Sequence, residues 1–334
     1  MKILFMTPDG SNDVSWSNVD YLEKAIGGMV ECKWAGVGHK LHRPNENLNA
    51  TILRVMPDAD WVIVNASAQD YIPLKIPEKR ICKAAYLTSD LHHPSPRQQL
   101  HLLNTGNWDA FLMHITKTNV SIDKETGTDH DFFINNLNAP ILNISFSINP
   151  NIFKPIDGPK MYDVAFLGSY TILYYPLRRI IWEKLPQLAE RNKWNILMRS
   201  RPIGPSFSKK RRIDLLLEQG HLVGDKYAEA LASSKILLFS VIKYRYPVKK
   251  YFEGMASGCL VMADTPLNAE ELHFIPDWNF VEINEDNWEK KLKYYLKHDA
   301  EREVIIRRGY ETLMKYHTND IRAKEIIAFL EKHS

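Results

Sequence analysis

The chain has 334 residues, of which 45% are hydrophobic and 25% charged, and a formal net charge of +3 at pH 7. That length exceeds one ordinary core and suffices for two domains. The composition is that of a globular chain, and so small a net charge does not demand a nucleic-acid partner. The three cysteines, Cys32, Cys82 and Cys259, are far apart and form no CxxC, which argues for a reducing compartment and against a disulfide framework or a cysteine-based zinc site. No apolar stretch has the length that spans a bilayer. MKILFMTPDG is too short and too soon broken for a signal peptide and reads as a first strand entering a loop.

In chain order, strands alternate with helices. KILFM is followed by a helix from about Asn18 to Gly27, then by the strands WVIVNA, CKAAYLT, DAFLMHI and PILNISF. Several are short apolar runs, the signature of a parallel sheet covered on both faces. NPNIFKPIDGP, rich in Pro and Asn and without hydrophobic periodicity, is the linker candidate. The plan then repeats: YDVAFLGS as a strand and its turn, a helix from about Tyr175 to Ala189 containing Pro186, and the strands NILMRS, KILLFS, CLVMAD and NFVEI. From NWEKK to the end the pattern is helical throughout. The expectation is two doubly wound α/β domains facing a cleft, with ligands at the carboxyl ends of the strands.

The stretch YPVKKYFEGMASGCLVMAD asks why one acidic residue, Glu253, follows a Lys-Lys pair just before a buried strand. Val248 to Ser257 suits a short helix with Tyr251, Phe252 and Met255 on its apolar side. Gly258 fits the left-handed position that closes it, and Asp264-Thr265-Pro266 stops the strand that follows. On this local pattern alone Glu253 sits early in the helix, where a negative charge favours the dipole, and a purely stabilising role is open.

Four stretches of the second half resemble the CgeB-like group of GT-B glycosyltransferases, related to family 4. They are YDVAFLGSY with Arg178 and Arg179 downstream, GHLVGDKYAEALASSKILLFS, KKYFEGMASGCLVMAD, and HDAEREVIIRRGYETLMKYHTNDIRAKEII. Together they cover about residues 160 to 330, and ISFSINPNIFKP resembles the interdomain junction of that fold. The resemblance implies an acceptor-binding domain over residues 1–150, a nucleotide-sugar donor domain over 151–315, and a last helix over 316–334 that returns to the first domain. It implies a transferase, hexosyl or more broadly glycosyl, acting from a UDP- or GDP-sugar on a glycan, protein or other hydroxyl acceptor, leaning towards retention. It implies that the nucleotide-sugar is a substrate, with no tightly bound cofactor and no essential metal.

The same resemblance gives Glu253 the ribose hydroxyls of the donor, a role two carboxylate oxygens suit. Arg245 stands eight positions upstream, where family 4 has a glutamate, and Lys250 stands where the CgeB-like group tends to carry an arginine. Lys249 and Lys250 are candidates for the diphosphate, with Tyr246 beside them. Gly168 and Ser169 could bring backbone N–H groups close to phosphate. Arg199 and Arg201 follow a strand and point either into the cleft or into solvent. Gly10 lies in the loop after the first strand. In TSDLHHPS, Asp90, His92 and His93 are the candidates for a base if transfer inverts; the alternative is a structurally hydrogen-bonded loop, and a metal reading of the adjacent histidines is weak.

The run Lys209-Lys210-Arg211-Arg212 reads as a solvated face, or as an approach to a polyanion or a membrane surface. No stable nucleic-acid partner is expected, peripheral membrane contact is open, and the expected location is cytoplasmic. Two other classes remain. One is a GT-B nucleotide-sugar 2-epimerase; the other is a non-catalytic nucleotide-sugar binder or a DNA-modifying glycosyltransferase.

Overall fold

The computed structural model describes residues 1–14, 17–65, 77–88, 96–113, 121–123, 127–200 and 212–334. The elements are β1 Lys2–Met6, α1 Ser17–Gly27, β2 Glu31–Trp34, α2 Leu48–Val55, β3 Trp61–Asn65, β4 Lys83–Thr88, α3 Pro96–Asn104, β5 Ala110–Met113, β6 Ser121–Asp123, β7 Gly127–Thr128, α4 Asp129–Asn136 and β8 Ile141–Asn143. They continue with β9 Tyr162–Leu167, α5 Pro176–Asn192, β10 Ile196–Arg199, α6 Ile213–Glu218, α7 Gly224–Ala232, β11 Ser234–Leu238, α8 Lys249–Ala256, β12 Leu260–Ala263, β13 Val281–Glu282, α9 Trp288–Tyr295, α10 Asp299–Tyr316 and α11 Asn319–Lys332. They form two compact units. One is Met1–Ser11, Trp16–Ser145 and Asn319–Ser334; the other is Asn12–Ser15 and Phe146–Thr318.

The first unit is built on a six-stranded sheet in the order β2-β1-β3-β4-β5-β8, every pair parallel. Alternate residues of each strand face opposite sides, and both sides are covered. Leu4, Val62, Val64, Phe111 and Met113 pack with Ile52 and Val55 of α2 and with Phe132 and Phe133 of α4. Ile3, Phe5, Trp61, Ile63 and Leu112 pack with Leu22 and Ile26 of α1 and with Ala323, Ile326 and Leu330 of α11. The last helix is thus part of this core. Trp61 fixes the chain end as well, donating from its indole N–H to Ser334 Oγ at 3.0 Å.

The second unit carries a five-stranded sheet, β10-β9-β11-β12-β13, again all parallel. One face buries Ala165, Leu167, Leu237, Val261 and Ala263 under Tyr251, Phe252 and Met255 of α8 and Leu313 of α10. The other buries Val164, Phe166, Ile236, Leu238 and Met262 under Ile181 and Leu185 of α5 and Trp288 and Leu292 of α9. Both units are therefore doubly wound parallel α/β layers, the class the alternation predicts.

Three readings of the sequence need adjustment. The terminal stretch is not one continuous helical run. It is three helices, interrupted over residues 296–298 and again at His317 and Thr318, where Ile148 pairs with Thr318 in an isolated bridge. The segment NPNIFKPIDGP lies inside the second unit. Asn149 organises its turn, accepting the N–H of Asn151 on its side chain and those of Ile152 and Phe153 on its carbonyl, and Phe153 is buried in the core. Glu253 is the fifth residue of α8 rather than a first-turn residue, because the helix begins at Lys249. At that depth the dipole reading no longer accounts for it. Gly258, by contrast, does close the helix with φ +69°.

Candidate functional site

In the second sheet β9 is flanked by β10 on one side and β11 on the other, so the chain winds away from β9 in opposite directions. The loops leaving the carboxyl ends of β9 and β11 diverge at this switch point, the place where doubly wound sheets bind ligands. The residues that meet there come from five elements.

Gly168 follows β9 with φ +123°, a conformation that suits glycine. A Cβ on it would lie 2.9 Å from Lys250 Cε and 3.2 Å from Lys250 Nζ, with Arg178 Nη1 at 3.9 Å. The missing side chain thus makes room for two cations. Its own N–H is engaged, donating to the Arg199 carbonyl at 2.9 Å, so the expected offer of this N–H to a phosphate does not hold.

Arg178 projects from α5 on the same face as Ile181, Leu185 and Leu188, and only 4% of it is exposed. Its Nε donates to the Ser240 carbonyl at 2.6 Å and its Nη1 to the Ser169 carbonyl at 3.2 Å. One guanidinium therefore ties the loop after β9 to the loop after β11. It lies 4.0 Å from the Tyr175 ring centroid. No carboxylate forms an ion pair with it among the described residues. Burial lowers its pKa, yet the group keeps its charge, because an arginine starts so far above neutrality. Asp264 acts on it through space without pairing with it, and a buried cation with no carboxylate in contact is costly and attracts an anion brought by a ligand.

Lys250, in the first turn of α8, donates to Tyr227 Oη at 3.4 Å and lies 5.5 Å from that ring's centroid. Tyr227 of α7 in turn donates to Glu253 Oε2 at 2.8 Å. Burial, with Glu253 beside it, raises the Tyr227 phenol well above its ordinary range, so it stays a donor. Glu253 is 8% exposed. One of its oxygens is thus partly committed to Tyr227. At the end of β12, Asp264 Oδ1 accepts the N–H of Val241 at 2.6 Å, and burial pushes this carboxyl up to about 6.

Of the residues singled out from the sequence, Gly168, Ser169, Lys250 and Glu253 come together at this point. Arg199 ends β10 but is exposed, its Nη1 turned to the Met198 carbonyl at 2.8 Å. Lys249 lies 5.7 Å over the Phe146 ring, and Tyr246 is half-buried in the segment before α8. Arg245 has φ +58° and donates to the Thr265 carbonyl at 3.0 Å, holding the loop after β12. Gly10 is buried in the other unit. Asp90, His92, His93 and Arg201 lie outside the described residues, as do Lys209, Lys210 and Arg211. Arg212, which ends that run, pairs with Asp214. Three members of the cluster were not among the sequence candidates: Arg178, Tyr227 and Asp264. Arg178 had a signal, a charged residue in phase with the apolar stripe of its helix.

The first sheet repeats the strand order, and its switch point lies between β1 and β3. On the other side of β1, at the carboxyl ends of β1 and β2, the buried Glu23 of α1 accepts from Thr7 Oγ1 at 3.0 Å and from Trp34 Nε1 at 2.9 Å, both on Oε2. Its Oε1 is buried without a partner, and burial pushes the carboxyl up to about 8. Among the described residues no group of three or more His, Cys, Asp or Glu side chains converges as for a metal ion. None of the described helices is long and apolar enough to cross a membrane.

Residues 178–328 match a family model described as glycosyl transferase-like. Solved structures share the fold over nearly the whole chain. HepE of Anabaena, solved in complex with UDP-glucose, is 13% identical with a TM-score of 0.63, over 99% of this chain and 100% of that one. A glycosyltransferase from Rickettsia africae is 12% identical with a TM-score of 0.60, over 99% and 98%. The sucrose-phosphate synthase of Thermosynechococcus elongatus is 13% identical with a TM-score of 0.59, over 99% and 98%. No curated protein sequence matches the chain. At such identities the structural likeness is one of fold, the two parallel-sheet α/β units of GT-B type.

Proposed function

We propose that this GT-B chain is a glycosyltransferase and that its second unit holds the nucleotide-sugar donor. The observation that carries the reading is the pair of cations, Arg178 and Lys250, converging on Gly168 at the switch point of the second sheet, with the Glu253 carboxylate beside them. The cations suit a diphosphate. Glu253, with one oxygen shared with Tyr227, suits a neighbouring ribose hydroxyl. The family match over this region and the UDP-glucose bound by HepE support the same reading.

The finer points belong to the same proposal. The chain is a member of the CgeB-like group, its donor is a UDP- or GDP-sugar, and the transferred group is a hexose. Residues 1–150 bind the acceptor, a hydroxyl-bearing glycan or protein, and transfer retains configuration. Residues 151–315 bind the donor, and 316–334 return to the first domain. Phosphate charge is met by side chains, without an essential metal. Asp90, His92 and His93 are the base candidates should transfer invert, and the enzyme works in the cytoplasm. An epimerase would share the donor cluster and differ in product.

A thermal-shift screen of UDP, GDP and dTDP with their sugars tests the core of the reading. A ligand at a hundred times its dissociation constant stabilises by about 2.7 kcal/mol. Stabilisation by one nucleotide series, followed by transfer of its sugar rather than formation of an epimer, supports the proposal. No response to any series removes it.

A further inference from the structure

We infer that Asp264 accepts a hydroxyl of the sugar being transferred and so distinguishes the nucleotide-sugar from its nucleoside diphosphate. The inference rests on the donor reading above and extends it past the phosphates. Asp264 closes β12, two strands from β9 in the order β9-β11-β12. Neighbouring strand ends are spaced about 4.8 Å apart, so Asp264 stands roughly 10 Å along the sheet edge from Gly168. That is the reach of a hexose attached to a diphosphate seated at Gly168.

The direction is set by Arg178, whose guanidinium runs from the Ser169 carbonyl after β9 to the Ser240 carbonyl after β11. The next residue, Val241, donates its N–H to Asp264 Oδ1. Phosphate cradle, Ser240–Val241 and Asp264 thus form one line along the carboxyl ends of the strands. Glu253, the ribose candidate, lies on the Gly168 side of that line through Tyr227 and Lys250.

Asp264 is oriented and reachable. Val241 holds one oxygen, and Tyr251 donates its hydroxyl to the Asp264 backbone carbonyl. The second carboxyl oxygen accepts no hydrogen bond from another residue among the described ones, and the residue, though mostly buried, is not closed off from solvent. Burial pushes its pKa up to about 6, which leaves it an acceptor-only carboxylate at neutral pH. A carboxylate is a poor partner for phosphate and a good one for a neutral hydroxyl, which it orients by a charge-assisted hydrogen bond. Arg245 holds the Thr265 carbonyl and so fixes the loop that presents Asp264.

The test is calorimetric titration of the full-length protein and its Asp264→Asn variant. The probes are UDP with UDP-glucose and UDP-N-acetylglucosamine, GDP with GDP-mannose, and dTDP with dTDP-glucose. Asparagine keeps an oxygen for the Val241 N–H, so the loop stays in place. The expected result, in the series that binds, is nucleoside diphosphate affinity unchanged within about twofold and nucleotide-sugar affinity at least tenfold weaker. Equal changes for both ligands, or none, overturn the assignment, since a structural role for Asp264 would not separate them. A wild-type protein that binds no nucleoside diphosphate at all overturns the donor reading itself, a distinct failure.

Discussion

The two sheets share one strand order over five strands and differ in what they bury at the carboxyl ends of those strands. At the carboxyl ends of β1 and β2 the first unit buries a carboxyl, Glu23, satisfied on one oxygen by Thr7 and Trp34. Between β9 and β11 the second unit buries a guanidinium, Arg178, satisfied only by main-chain carbonyls. The carboxyl can take up a proton and become neutral, and its raised pKa records that escape. The guanidinium has no such escape at neutral pH. The same topology thus carries at its strand ends one buried group that makes itself neutral and another that stays positive, and only the second is suited to a polyanionic ligand.

The largest expected effect lies in the first unit. Folded Glu23 holds its proton up to about 8, while the unfolded chain releases it near 4.5. Between those values the folded state binds more protons, so stability should fall as pH rises, by about 3–5 kcal/mol in all, the loss being complete above the folded value. Glu23→Gln can keep the bonds from Thr7 and Trp34 and should remove this slope. Urea unfolding at pH 5, 7 and 9 reads it directly. A slope that persists in the variant would assign it elsewhere.

Next comes the opposite case. Arg178→Met deprives two carbonyls of their donor but also removes a buried charge, so stability should shift by less than about 2 kcal/mol. Nucleoside diphosphate affinity should fall a hundredfold, about 2.7 kcal/mol. Arg178→Lys restores the charge without the planar fork and should recover only part of the loss. Comparable affinity in all three proteins would break the contrast between the two buried groups.

Smaller effects sharpen the donor side. Glu253→Gln should weaken nucleotide binding by about 2 kcal/mol through loss of charged hydrogen bonds, with the fold intact. Tyr227→Phe removes one hydrogen bond to that carboxylate and should cost about 1 kcal/mol in the same titration. A larger loss from Tyr227→Phe than from Glu253→Gln would mean that the phenol, not the carboxylate, meets the ligand.

How far the chain could be read in advance follows from these same residues. Apolar runs such as WVIVN and CLVMA exposed the central strands because both faces are buried. The edge strand β2, ECKW, has alternately exposed residues and no apolar run, so it carried no such signal. Glu253 and Lys250 were visible because a short helix beside a buried strand leaves few roles for charge. Arg178 belongs to the family-like pattern, but its burial follows from its phase with Ile181 and Leu185. Asp264 read as a strand terminator, which it is. Its second role depends on Val241 and Arg178, far away in sequence. Tyr227 could be placed only once α7 and α8 were seen side by side.

The central claim is that Lys250 and Arg178 make the second switch point a diphosphate site. Calorimetric titration of UDP, GDP and the corresponding nucleosides into the wild type and a Lys250→Met variant tests it most directly. The prediction is that the variant loses at least tenfold in nucleoside diphosphate affinity while nucleoside affinity stays within about twofold. Equal affinity of both proteins for the diphosphate, or a wild type that binds none, would contradict it.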